Sequence, residues 1–244
     1  NVAIVGGEGE GASRYFVVSG GQNYTFTRDS IAYTTDGKRV EINEPRFETG
    51  KFGKALLIEE GNSTRADEIL DVPTPQLNNW TMEAWAKTNQ ESGSFRMPFS
   101  AWDKFYVSLN PDNRVLISWM DETQKYAYST NPISNPTDWH YWALTFDGNR
   151  ARLYIDGVSV VEAETYLPRP FPSNIRLGSL SLSWLNTNKY FWNGLIESFR
   201  ITNRVRTPSE ILEIYQKDSL FEQDEGTVFL FLLPANILSR REVF

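Results

Sequence analysis

Flat aromatic rings interleaved with side-chain amides occur together in Ser183-Trp184-Leu185-Asn186-Thr187-Asn188-Lys189-Tyr190-Phe191-Trp192. Rings of this kind stack on the apolar faces of sugars, and amides supply directed hydrogen bonds. Trp184, Asn186, Asn188 and Tyr190 are therefore candidate glycan contacts. Trp102, in Ser100-Ala101-Trp102-Asp103, is a candidate to join them. These residues cannot all be interior, because a buried loop would strand too many polar groups. Other aromatics read as core: Trp192 and Phe199 fill an interior, as do Trp80, Trp85 and Trp142. For Trp184, ordinary packing or a protein interface is as good a reading as ligand contact, since aromatics also anchor interfaces.

Residue supply excludes much other chemistry. Cysteine is absent and His140 is the single histidine, so no disulfide framework, thiolate metal site, imidazole cluster or Ser-His-Asp triad can form. The 31 acidic residues outnumber the 24 basic ones, and the basic ones are scattered rather than striped, which argues against a nucleic-acid partner. The longest apolar run, Val228 to Leu233, is far short of the roughly 20 residues of a membrane helix, so membrane insertion is not expected. No charged stretch followed by an apolar one opens the chain, which reads as an excised or processed segment. Gly7-Glu8-Gly9-Glu10-Gly11-Ala12 has the G-x-G-x-x-A form of a dinucleotide fingerprint. However, Ser13 to Val18 read as strand rather than the helix that would hold a pyrophosphate, and two glutamates would repel it.

The elements that must position these residues are strands. In Asp138 to Gly157, apolar side chains recur every second residue at Trp142, Leu144 and Phe146 and again at Ala151, Leu153 and Ile155, the period of a half-buried strand. Asp147-Gly148 and Asp156-Gly157 supply residues that tolerate positive φ, so type I′ turns should fold each strand back on its neighbour. Short strands separated by turn signals recur along the chain, from Tyr24–Phe26 to Leu195–Ile201 and on to a buried strand ending at Leu233. That spacing predicts an all-β antiparallel sandwich or jelly roll. One short helix is predicted near residues 208–216. Thr207-Pro208-Ser209-Glu210 combines a capping Thr, a Pro at the first helical position and a Glu three residues after the cap, and Ile211, Leu212, Ile214 and Tyr215 follow at helical spacing. The predicted organisation is a glycine-rich arm over 1–26, a jelly-roll domain over 27–234 and a tail over 235–244.

Four blocks carry a family resemblance: Gly50 to Gly61, Trp80-Thr81-Met82-Glu83-Ala84-Trp85, the Asp138 to Gly157 meander, and Asn193 to Ile201 followed by Arg206-Thr207-Pro208-Ser209-Glu210-Ile211. In order and spacing they resemble the laminin-G-like jelly roll of the concanavalin A-like lectin/glucanase superfamily. Tyr33 to Val40, Asn43-Glu44-Pro45-Arg46-Phe47 and Leu57-Ile58-Glu59-Glu60 are similar to a segment of bacteriophage tail and fibre proteins carrying this jelly roll. Gly6 to Gly11 likewise resembles a piece of siphophage tail proteins.

The resemblance raises glycoside hydrolysis, which needs two carboxylates roughly 5 to 9.5 Å apart. The laminarinase-type Glu-x-Asp-x-x-Glu run is missing, and Glu162-Ala163-Glu164 reads as a solvated strand edge. Glu197 stands where the family has an acid in its Gly-x-Ile-Asp-Glu block and reads as a structural acceptor of backbone N–H groups. Related lectin domains bind calcium, for which Asp103, Asp112, Asn113 and Asp121 offer oxygens, although turn formation alone explains Pro111-Asp112-Asn113. No other cofactor is expected. The resemblance implies a non-catalytic virion protein of a phage tail or fibre, located in the virion. Such a protein would hold neighbouring virion subunits, homo-oligomerise through the arm and tail, and bind host cell-surface polysaccharide. The alternative is an extracellular carbohydrate-binding module of a bacterial surface or secreted protein, and a diverged hydrolase ranks below both.

Overall fold

A computed structural model of the chain describes residues 3–5, 15–19, 22–26, 31–34, 39–41, 46–59, 70–73, 76–101, 105–121, 123–164, 174–182, 187–189 and 191–232. The dinucleotide-like loop at 6–11 and the tail at 236–244 lie outside them.

The described strands are β1 (Ala3–Val5), β2 (Tyr15–Ser19), β3 (Gln22–Phe26), β4 (Ile31–Thr34), β5 (Arg39–Glu41), β6 (Arg46–Thr49), β7 (Lys54–Ile58), β8 (Leu70–Pro73), β9 (Trp80–Thr88), β10 (Arg96–Ala101) and β11 (Phe105–Leu109). They continue with β12 (Arg114–Asp121), β13 (Thr123–Pro132), β14 (His140–Phe146), β15 (Arg150–Ile155), β16 (Val158–Glu164), β17 (Asn174–Leu177), β18 (Leu180–Leu182), β19 (Thr187–Lys189), β20 (Gly194–Thr202) and, after helix α1 (Pro208–Lys217), β21 (Thr227–Leu232). The larger sheet runs β16-β15-β14-β9-β20-β21-β2-β3-β4-β5, with β1 on β2, β7 on β20 and β6 on β7. The smaller sheet runs β13-β12-β11-β10-β17-β8, and β18 and β19 form a separate hairpin. Every described pairing is antiparallel.

The two sheets pack face to face. The predicted series Trp142, Leu144, Phe146, Ala151, Leu153 and Ile155 all enter the core between them. Phe105, Val107, Leu109, Val115 and Ile117 meet them from the smaller sheet, and Trp80, Trp192 and Phe199 fill the same core. Trp85 does not: it packs on the outer face of the larger sheet with Tyr141, Ala143 and Tyr154. β14 is thus buried on both faces rather than half-buried. The reason is α1, whose Ile211 is fully buried in that outer cluster beside Phe221.

The helix is built as its sequence predicts. Thr207 accepts from the Glu210 backbone and the Glu210 side chain reaches back to the Thr207 N–H, satisfying two donors that a helix start leaves orphaned. The two predicted turns differ from each other. Asp156 and Gly157, at φ 52° and 81°, join β15 to β16 in a two-residue turn of the expected kind. At 147–149 only Gly148 has positive φ, and the Asp147 side chain caps the loop by accepting from the N–H groups of Asn149 and Arg150. A third loop residue lets an Asx turn replace the type I′ turn.

Candidate functional site

Because strand side chains alternate between faces, the residues of the smaller sheet that do not enter the core line its outer face. Cross-strand register fixes the rows. Arg176, Ser100, Tyr106, Ser118 and Tyr126 lie side by side across β17, β10, β11, β12 and β13. Ser108, Leu116 and Tyr128 form the next row. Tyr126 and Tyr128, two residues apart on β13, stack at 6.2 Å between centroids and are 46% and 43% exposed, a large apolar area to leave in water. The Arg114 guanidinium lies 5.3 Å from the Tyr128 centroid, on the side away from Tyr126, so the free ring face of the pair belongs to Tyr126.

Polar groups surround these rings. Gln124 donates from one amide nitrogen to the Tyr106 hydroxyl at 3.1 Å and to Ser118 Oγ at 3.2 Å. Burial pushes the Tyr106 pKa up, and Tyr126 and Tyr128 add to this against a lowering by Ser118, so the phenol stays a neutral hydrogen-bonding group. Ser108 Oγ is fully buried in the second row and has no hydrogen-bond partner, a state that costs free energy unless something meets it. The Ser100 hydroxyl donates to the Ser179 carbonyl at 2.8 Å, which ties the start of the β18–β19 hairpin to the strand beside Tyr106.

The described strands of that hairpin, β18 and β19, flank or overlap the predicted glycan segment in sequence. Asn188 is in the backbone of β19, but its side chain and residues Trp184, Asn186, Tyr190, Trp102 and Asp103 lie outside the described residues. Tyr106, Gln124, Tyr126 and Tyr128 were not singled out from the sequence. The signal was the alternation Gln124-Lys125-Tyr126-Ala127-Tyr128, polar and aromatic on one parity with Ala127 packed against the core on the other.

Of the metal candidates, Asp112 binds Arg114 through Oδ2 at 3.0 Å, and Asn113 Oδ1 accepts from the buried Arg96 at 2.6 Å. Those oxygens already hold cations. Asp121 ends β12 with its side chain outside the described residues, and among the described residues no three His, Cys, Asp or Glu side chains converge. The carboxylates weighed for hydrolysis also have partners among the described residues. Glu162 and Glu164 pair with Arg150 and Arg152 on the edge strand. Glu197 accepts from the N–H groups of Lys51 at 2.5 Å and Phe52 at 2.8 Å. Burial raises its pKa, against the lowering by backbone donors at Phe52, Lys51 and Gly53. Glu83 is fully buried on the other outer face, taking Arg200 at 2.9 Å, Arg206 at 2.8 Å and the Tyr141 hydroxyl at 2.5 Å.

A family model described as concanavalin A-like lectin/glucanases superfamily, of the laminin-G type, matches residues 61–212, more than half of the chain. The chain belongs to that superfamily. No curated protein matches it in sequence. Among solved structures, this superfamily member is similar to domain 4 of a GH43 extracellular arabinanase from Geobacillus stearothermophilus, solved with arabinotriose. The TM-score is 0.58 and the identity 20%, over 72% of this chain and 83% of that one. It is also similar to the CBM40 domain of the Ruminococcus gnavus IT-sialidase, with TM-score 0.51, 14% identity, and coverage of 68% and 97%. A third likeness is to the receptor-binding domain of botulinum neurotoxin type G, with TM-score 0.54 and 15% identity, where the match covers 77% of this chain and 49% of that one. These likenesses establish the jelly-roll sandwich.

Proposed function

We propose that this chain is a non-catalytic glycan-binding module whose ligand lies on the outer face of the smaller sheet, against Tyr126. The observation that carries the reading is the half-exposed Tyr126–Tyr128 stack, set beside the Gln124–Tyr106–Ser118 network. Such a surface offers a ring face for stacking and directed polar groups for orientation. Names of its structural neighbours support the same class, since the arabinanase domain was solved with arabinotriose and the sialidase CBM40 with sialyllactose. In this reading Trp184, Asn186, Asn188 and Tyr190 are candidate contacts of the same ligand. Calcium has no part in it at Asp112 and Asn113, where Arg114 and Arg96 hold the oxygens.

The test is affinity electrophoresis against a panel of soluble polysaccharides, with wild type and Tyr126→Ala compared at equal folding by circular dichroism. Retardation of the wild type that Tyr126→Ala abolishes supports the reading; equal retardation of both overturns it. Turnover of a retained polysaccharide, lost on removing a carboxylate, would overturn the non-catalytic part. The narrower reading, an adhesin of a phage tail or fibre that contacts neighbouring virion subunits and copies of itself, is supported by the resemblance of residues 33–60. Antibody labelling of intact virions tests it. The alternative extracellular module would label a bacterial surface instead.

A further inference from the structure

We infer that the ligand is an internal stretch of a linear polysaccharide, because the tyrosine face continues round the edge of the sandwich into a second subsite. This rests on the glycan-binding reading of the Tyr126 face and adds the length of chain recognised. The second subsite is a cleft of about 480 Å³ between the edge strands β13 and β16, within the size range of small-molecule sites. One wall begins at Ser129, the residue after Tyr128, and includes Thr130, Asn131 and Ser134; Ser159 and Val160 stand on the other. Thr130, Asn131, Ser134 and Ser159 are exposed, so their hydroxyl and amide groups face solvent in the cleft. The lining mixes such groups with apolar side chains, as a sugar's own surface does.

Two further observations favour one ligand spanning both places. From Tyr126 to Thr130 the extended strand covers roughly 13 Å, longer than a single sugar ring. Arg114, on the neighbouring strand over the Tyr128 ring, adds donors beside that path: its Nε is held by Asp112 at 3.0 Å, whereas its terminal nitrogens carry no described hydrogen bond and the side chain is 40% exposed.

The cleft is also held open in advance. His140 on its floor bonds Asp156 on one side at 2.7 Å and the Asn135 carbonyl on the other at 3.0 Å, and Asp156 in turn accepts from the Tyr141 N–H at 2.9 Å. A subsite already braced loses little ordering entropy when it is filled.

The experiment takes a polysaccharide that retards the wild-type protein, prepares its fragments from disaccharide to hexasaccharide, and measures their affinities by calorimetry. It compares wild type with Tyr126→Ala and with two cleft-filling variants on opposite walls, Ser159→Trp and Ser134→Trp. Wild-type affinity is expected to climb by at least about tenfold with length, because the second subsite is then engaged intramolecularly. The cleft variants should abolish the climb while leaving disaccharide affinity unchanged, and Tyr126→Ala should weaken every length. Affinity that is flat with length, or a climb that both cleft variants retain, overturns the extended-chain inference even where Tyr126→Ala loses binding. Undiminished binding by Tyr126→Ala, or retardation of the wild type by none of the polysaccharides, overturns the underlying reading as well.

Discussion

The two outer faces of the sandwich are made from the same kind of strand and are put to opposite uses. On the larger sheet, Glu83 is fully buried, with Arg200, Arg206 and Tyr141 on its oxygens. Asp224 takes the other end of Arg206 at 2.7 Å, so two acids face two guanidinium groups, and α1 closes the surface over Trp85 and Tyr141. On the smaller sheet, the corresponding positions hold tyrosines and hydroxyls; Ser100, Ser108, Leu116 and Ser118 are buried, and towards the β13 edge Tyr126 and Tyr128 stay half exposed. Both faces contain buried polar atoms without partners: Trp85 Nε1 and Ser198 Oγ on the first, Ser108 Oγ on the second. What separates them is the edge at β13. Trp85 is backed by Phe52 and Tyr215, at 5.5 and 6.2 Å between ring centroids, whereas the row beyond Ser108 ends in solvent at Tyr128. The helix-covered face holds its rings for stability, whereas the half-exposed β13 edge of the other face remains available to a ligand.

Removing the centre of the covered face should have the largest effect. Glu83→Ala leaves two desolvated guanidinium groups sharing the single carboxylate of Asp224, which costs about 3–5 kcal/mol for breaking a buried pair. Denaturant unfolding measures this, and a loss below about 1 kcal/mol would mean the network relaxes into water and the covered face is not what it appears in the contacts. Ile211→Ala, which deletes the helix's buried side chain, should cost about 2–4 kcal/mol by the same measurement. Its glycan retardation should match wild type, because the two faces are separated by the core.

The open face should respond in the opposite way. Tyr126→Ala is expected to change stability by no more than about 0.5 kcal/mol, as exposed substitutions do, while weakening glycan binding by about tenfold or more. Calorimetry and unfolding on the same preparation check both halves. A variant that lost stability and kept binding would exchange the roles assigned to the two faces.

Their legibility in the sequence differs for a related reason. The core was readable because burial between sheets imposes period two within one segment: all six alternating residues from Trp142 to Ile155 are where that period puts them. The helix was readable because its capping residues are local, Thr207 and Glu210 lying three apart. Neither outer face was. Glu83 finds Arg200 across 117 residues, and Tyr106 meets Gln124 across 18, through a register that sequence spacing does not encode. Tyr-x-Tyr on a strand looks the same whether its face is covered or open. The error about β14 has this origin as well, since its alternation announced one buried face while the second was buried by α1 from more than sixty residues away. The Trp184 segment was singled out on composition; the structure adds only that its hairpin is tied by Ser179 to the strand beside Tyr106.

The smallest expected effect concerns the seam where the two sheets' edges meet, and it depends on pH. Both ring nitrogens of His140 face acceptors, Asp156 Oδ2 and the Asn135 carbonyl, so only the imidazolium satisfies both. Burial lowers the pKa, but the Asp156 hydrogen bond and charge, the Asn135 carbonyl and the Asp138 charge together outweigh it, and the net shift is upward. A histidine whose folded pKa lies above its unfolded value, about 6.5, contributes stability that is fully present below the unfolded value and lost as pH rises through the folded one. Thermal midpoints across that range should therefore fall for the wild type relative to His140→Gln, which cannot titrate. At the upper end one of the two struts is gone, and because they brace opposite walls of the cleft, affinity for long oligosaccharides should fall over the same pH range while disaccharide affinity holds. A wild-type and His140→Gln difference that stayed constant with pH would show that the imidazole keeps one charge state throughout. The hydrogen bonds to Asp156 and Asn135 would then brace the cleft equally at every pH.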